Sequence, residues 1–462
     1  MTRQGAARAA ATGVRIAVGA IVAVACAGAA VVGVHAPWPE VAHEPAQVRV
    51  TPVPGNTQLV CDGSFRALGR DASQAQLMTS AGLPRLVSGG TEGEPSADGL
   101  EMPGLAGGSG ARTLTGTVQG RTAPLIAAVE SIVLDAEDLS GLAAAPCRAP
   151  ALQTWLVGGS AATGSADVIV LSNPSDVAST VTFAVFGSKR AASTAVVPPK
   201  TQTALPLASI APGESTPVVQ VVASGAPVRA VLQSSYVRVL DPAGIDLQDG
   251  VPDAQRSLAF TGVRMGDAGA GDDSAAPVLR MLSPGADTTA VVRVRGEGGS
   301  ADADEYTVPL KQGIPAEVSL AGLDKGFHDV EVTAESPIVG AVRQTEAAGA
   351  AADFAWMTPA PKISADVMFA VPSDLDAALH LLNDGDAAVT VTVADGDDEK
   401  RVEVPAHGSA SAALRGGSTP VLSSSGPVRA ALSAVGPAGT AQIAGWPLWP
   451  GDRTQQSITV YP

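Results

Sequence analysis

The sequence predicts an all-β protein: an N-terminal transmembrane helix followed by tandem Ig-like antiparallel β-sandwich units. Three observations carry this reading. Arg3, Arg8 and Arg15 precede an uncharged run at 16–34, and the first acidic residue is Glu40. Further on, Pro174 and Pro227 lie 53 positions apart, as do Pro284 and Pro337, in similar surroundings. Between such markers apolar and polar residues alternate with period two, the pattern of a strand that buries one face.

Composition narrows the class. The chain has 462 residues, 45% of them hydrophobic but only 3% aromatic, so Ala and Val must fill the core. Charged residues are 16%, and 51 Gly with 35 Pro supply many turns. A disordered acidic tail, a coiled coil, a collagen and a polytopic membrane protein are excluded. With 29 basic against 45 acidic residues and a net charge of −16, the surface repels phosphates, so no nucleic-acid partner is expected.

Taken in order, residues 1–12 read as a cytoplasmic tail and 13–34 as a transmembrane segment or signal anchor. The 19-residue apolar run at 16–34 is long enough to cross a bilayer core of ~30 Å. The basic flank keeps the N-terminus in the cytoplasm, placing everything after Val34 outside. The lipid bilayer is thus one partner, met through this helix. Pro37-Trp38-Pro39 ends the helix, and 35–46 reads as a stalk. Val34-His35-Ala36 and Ala27-Gly28-Ala29 have the small-residue spacing of a cleavage site, and removal of the segment would make the protein secreted. A lipid anchor at Cys26 is the poorer fit, because Ala23 stands where Leu is usual and apolar residues continue past the cysteine.

Outside the membrane only Cys61 and Cys147 remain, 86 positions apart in an oxidising compartment. They are expected to form a disulfide, which the chain-entropy model values at roughly 4–5 kcal/mol. Two buried free thiols are the alternative.

Residues 47–150 read as an N-terminal β subdomain. Residues 48–53 and 57–61 look like strands paired around Pro54-Gly55, and the Gly/Ser-rich 88–110 looks like a long exposed loop. Three repeats follow, at 151–259, 260–362 and 363–462. The first has Leu171-Ser172-Asn173-Pro174, the alternating 181–186, and Pro227-Val228-Arg229-Ala230. The second has Leu282-Ser283-Pro284, then 292–295, and Pro337. The third has Leu382-Asn383-Asp384-Gly385, then 389–393, and Pro427-Val428-Arg429-Ala430. Alternation places Val181, Phe183 and Val185 on one face, and likewise Val389, Val391 and Val393, with Thr390 and Thr392 opposite. Short strands punctuated by Asn-Pro, Pro-Gly and Asp-Gly turns, in units of this length, specify β-sandwiches.

Chemistry is sparse. Nucleophile-elbow, zinc-protease, phosphate-loop and dinucleotide motifs are missing, so no catalytic residue, cofactor-binding residue or metal ligand is assigned. His35, His43, His328, His380 and His407 read as surface or partly packed residues. Asp302, Asp304 and Glu305, then 395–399, and Asp267 with Asp272 and Asp273 are acidic loop clusters. They read as solvated charge, with calcium as the alternative. Trp155, Phe260, Trp356 and Trp446 recur near repeat boundaries and read as structural. An exposed Trp446-Pro447-Leu448-Trp449 platform would instead suit glycan stacking.

Cys147-Arg148-Ala149-Pro150, Trp155-Leu156-Val157-Gly158-Gly159, Leu171-Ser172-Asn173-Pro174 and the later Asp353-Phe354-Ala355-Trp356 form a distinctive set of strings. The chain resembles, from about Val48 onward, an uncharacterised family of actinobacterial, membrane-anchored extracellular proteins that carries a domain of unknown function. The 23 Arg against 6 Lys and the abundant Ala suit such a GC-rich source. The resemblance implies a cell-envelope location and a β-rich ectodomain, and no reaction. The expectation is therefore a non-enzymatic envelope protein that scaffolds or binds a protein or wall polymer. The alternatives are a carbohydrate-binding accessory protein, marked by a row of exposed aromatics, and an enzyme with an unrecognised site, marked by converging carboxylates.

Overall fold

Apolar sequence at the N-terminus and alternating sequence elsewhere give a mostly β protein with one long helix. A computed structural model describes residues 3–35, 47–50, 54–70, 77–120, 123–266, 277–298, 304–346, 352–450 and 458–460. The chain divides into two units, Met1–Pro52 with Gln455–Pro462, and Val53–Thr454.

In the smaller unit the helix Arg3–His35 contains a 23-residue stretch, Gly13–His35, long and apolar enough to cross a membrane. Its first turn holds no acidic residue. Strand Val48–Val50 pairs antiparallel with Ile458–Val460, Val48 lying opposite Val460. This corrects the expected hairpin: Thr57–Val60 pairs instead with Arg112–Gly116. Pro52 has no N–H to offer a ladder, which weakens a hairpin between 48–53 and 57–61. Most of the proposed stalk, 36–46, lies outside the described residues, as does Trp38.

In the larger unit, the Gly/Ser-rich 88–110 is also different from expectation. Arg85–Gly90 pairs with Ile126–Asp135, Ser96–Gly99 with Arg112–Gly116, and Leu105–Ala106 with Met78–Gly82. Every residue of Ser96–Gly99 is exposed, so backbone pairing alone holds that strand and its side chains give no apolar pattern. The disulfide joins Cys61 to Cys147 with the Cα atoms 4.3 Å apart.

The first repeat is a sandwich of two four-stranded sheets. One runs Gln153–Val157, Val218–Ser224, Ser179–Phe186, Ala191–Val197; the other runs Thr201–Pro206, Val168–Asn173, Arg229–Arg238, Asp241–Asp249. The third repeat repeats that order. Val367–Met368, Val421–Ser424, Val389–Asp395 and Asp398–Val404 form one sheet. Gly408–Leu414, Asp376–Asn383 and Val428–Val435 form the centre of the other. In the second repeat the layers are joined by one 21-residue strand, Gly326–Glu346. It pairs with Thr288–Gly296 over its first half and with Val278–Leu282 over its second. Gly225, at φ +101°, breaks the corresponding path in the first repeat. Its counterpart in the second is Glu335, where the chain stays extended.

Register confirms the common plan. Ser172 lies opposite Arg229, Leu282 opposite Val339, and Leu382 opposite Arg429. The same turn is built twice by asparagine. Asn173 Nδ2 donates to the carbonyls of Val177, Val197 and Pro198 at 2.8, 3.1 and 3.1 Å. Asn383 Nδ2 donates to those of Ala387, Val404 and Pro405 at 2.8, 3.2 and 3.0 Å. Ser283 occupies the place in the second repeat. Val181, Phe183, Val185, Val292, Val294, Val389, Val391 and Val393 are buried, while Arg293 and Thr390 are exposed, as period two requires.

Candidate functional site

The Asp353-Phe354-Ala355-Trp356 string forms most of strand Asp353–Met357, on the flank of the second repeat. Asp353 is buried, and its carboxylate gathers three distant segments. Oδ2 accepts from the N–H groups of Leu142 at 2.8 Å and Ile443 at 3.1 Å, and Oδ1 from that of Ile245 at 3.1 Å. These belong to the N-terminal subdomain, the third repeat and the first repeat. The approach needs glycine: a Cβ on Gly141 or Gly244 would lie 2.4 or 2.8 Å from Asp353 Oδ1. Three positions on, the N–H of Trp356 donates to Asp246 Oδ2 at 2.8 Å.

Beside this junction, between the first and second repeats, lies a cleft of about 440 Å³. Hydroxyls of Ser160, Thr163, Ser165, Ser215, Thr216 and Ser235 line it, together with the rings of Tyr236, Phe354 and Trp356. Its ionisable groups are Asp167, Glu317, Asp353 and the three guanidiniums of Arg238, Arg280 and Arg343. Arg280 is fixed in place. Its Nε donates to Glu317 at 2.9 Å, Nη1 to the carbonyls of Gly159 and Pro217 at 2.8 and 2.9 Å, and its plane lies 4.8 Å from the Trp356 ring centroid. Burial pushes the Asp167 carboxyl up to about 7, against the pull of N–H donation from Ser160 at 2.7 Å and Ser235 at 3.1 Å. Burial likewise pushes Asp246 up to about 8. A pocket with hydroxyl donors, aromatic faces and guanidiniums can hold and orient a polar ligand.

A second buried cluster surrounds the disulfide. Arg229 pairs with Asp62 at 3.2 Å and with Asp249 at 3.0 Å, and Arg148 reaches Asp249 at 3.5 Å. Glu130 accepts the N–H groups of Asp62 and Gly63 at 2.7 and 2.9 Å, and burial raises its carboxyl to about 7. Opposite charges neutralise one another there, so the cluster is a tie between segments. Asp62 and Arg148, each next to a bonded cysteine, were its only sequence signal.

The other sequence candidates scatter. His380 is fully buried, contrary to the surface or partly packed reading, with its ring held between Glu297 and Ser433. His407 is exposed beside Asp386, and His328 is buried. Asp304 and Glu305 sit in strand Asp304–Leu310, and Asp395 pairs with Arg415. His43, Asp267, Asp272, Asp273 and Asp302 lie outside the described residues. Among the described residues no three His, Cys, Asp or Glu side chains group to hold a metal ion. Trp155, Trp356 and Trp446 are buried, and Trp449 is half-buried, with the Arg148 guanidinium 4.2 Å above its ring.

These features define a β-sandwich repeat protein with a cleft at a repeat junction. The chain belongs to a family of unknown function (DUF5719), whose model matches residues 105–425. No curated protein matches it. It is similar to a solved tetra-tandem repeat from the extending region of a large adhesion protein. That likeness has 13% identity over 87% of this chain and 94% of the other, and its TM-score of 0.12 is too low to carry any argument.

Proposed function

We propose that the chain is a non-enzymatic cell-envelope protein. In this reading an extracellular β-sandwich ectodomain, anchored by its N-terminal helix, holds a protein or wall polymer in the cleft between its first two repeats. The cleft is the observation that carries the reading. Its volume falls in the range of ligand pockets. Its guanidiniums stand out on a chain of net charge −16. The basic flank of the helix and the disulfide support export. A hydroxyl-lined hollow favours a polymer chain over a flat protein surface. The carbohydrate-binding alternative draws on the same lining. Its other mark, a row of exposed aromatics, is not found among the described residues.

A photo-crosslinker at Thr163, on the cleft wall, tests this on intact envelope. One discrete partner should be captured, and Ser165→Trp, which fills the cleft, should abolish capture. Capture that ignores the filling substitution would remove the cleft from the reading. Protease added to intact cells should digest the bulk of the chain, and protection of the bulk would overturn the orientation.

A further inference from the structure

We propose that Ser433 and Gln344 become joined by an intramolecular ester bond, formed by the protein itself with loss of ammonia, which ties the third repeat covalently to the second. The nucleophile's machinery is present. His380, in strand Asp376–Asn383, packs its ring against Phe327 with centroids 4.5 Å apart. It also packs over Gly262, where a Cβ would lie 2.4 Å from the ring. Its Nδ1 pairs with the Glu297 carboxylate and its Nε2 with Ser433 Oγ at 2.8 Å. A carboxylate that holds the Nδ1 proton leaves Nε2 as the base for the serine hydroxyl.

This relay is sealed from solution. His380 is 0% and Ser433 4% exposed, so no dissolved substrate reaches the hydroxyl. An electrophile for it has to be a group of the chain.

Gln344, in strand Gly326–Glu346, supplies one. Ser433 pairs with Gly445, and paired residues present their side chains on the same face, with Cβ positions about 5 Å apart. Gln344 Nε2 lies 2.6 Å from where a Cβ on Gly445 would be, so the carboxamide occupies the space left by that glycine, the residue paired with Ser433. Gln344 Oε1 accepts the N–H of Arg264 at 2.8 Å, a donor placed to stabilise a developing oxyanion. Its buried Nε2 has no hydrogen-bond partner among the described residues. In the reaction Ser433 Oγ bonds to Cδ of Gln344 and its proton passes to His380 Nε2. The tetrahedral intermediate then breaks its Cδ–Nε2 bond, and His380 returns the proton to the departing ammonia. Atoms and charge balance with no outside reagent.

Intact mass spectrometry of the purified full chain, reduced and denatured, tests the proposal. The chain should weigh one ammonia less than its sequence, and digestion should yield one linked species containing Gln344 and Ser433. Ser433→Ala should restore the full mass, Ser433→Thr should keep the loss, and His380→Gln should slow or abolish it. A wild-type chain at full sequence mass would overturn the proposal, whether or not the variants fold. Ammonia loss that persists in Ser433→Ala would overturn it too, by placing the chemistry elsewhere.

Discussion

Replacing Asp353 by alanine removes the acceptor for three buried N–H groups at once, those of Leu142, Ile245 and Ile443. Leaving a buried donor unpaired costs about 1–3 kcal/mol. Relief from burying a carboxylate offsets part of that sum, because burial is the largest influence on this group and pushes its carboxyl well up. A net loss of roughly 3–6 kcal/mol remains, a large share of the stability of an ordinary domain. Asparagine keeps the shape but turns one oxygen into a donor facing a donor, so Asp353→Asn should cost about 1–3 kcal/mol. Urea unfolding followed by fluorescence and by circular dichroism gives both numbers. The three donors come from different parts of the chain, so Asp353→Ala should also split one transition into several. A cost under about 1 kcal/mol for Asp353→Ala, with a single transition retained, would refute the reasoning.

Three further outcomes are expected. Val391→Asp places a carboxylate in the third-repeat core and should cost at least ~3 kcal/mol, whereas Thr390→Asp on the exposed face should be nearly silent in thermal unfolding; equal effects would contradict the assigned faces. Asp167, Asp246 and Glu130, raised to about 7, 8 and 7, hold their protons more tightly folded than unfolded. Their stabilisation is therefore present below about pH 4 and is lost as pH rises through 7 to 8, at roughly 3–6 kcal/mol each. The Tm should fall between pH 5 and 8.5, and Asp167→Asn should flatten that fall; a flat wild-type profile would count against it. Opening the Cys61–Cys147 bond with a double serine substitution should cost roughly 4–5 kcal/mol, and non-reducing peptide maps should recover the two segments linked; free thiols at both positions would end that claim.

Period and punctuation made the repeats legible. Proline spacing marked equivalent positions, and alternation sorted Val391 from Thr390 without any tertiary information. Partners were harder to read. Val48–Val50 has the pattern of a strand, yet nothing local says that its mate lies near the other end of the chain. Ser96–Gly99 has no pattern to find, since all its side chains are exposed. Asp353 stood out within a family string, but its role depends on three N–H groups that folding alone brings together. The same holds for His380, whose partners Glu297 and Ser433 are 83 and 53 positions away. The cleft too is assembled from two repeats, so neither repeat's sequence announces it.

The pairing of Val48–Val50 with Ile458–Val460 has a mechanical consequence. Val48 is the residue of its strand nearest the helix and Val460 is the last residue of its own, and they lie opposite each other. A pull on the C-terminus, resisted at the helix, therefore enters the ladder at one extremity and opens it pair by pair like a zip. Such peeling needs far less force than shearing strands loaded at opposite ends. The three-residue ladder would act as a fuse, releasing slack before tension reaches Val53–Thr454.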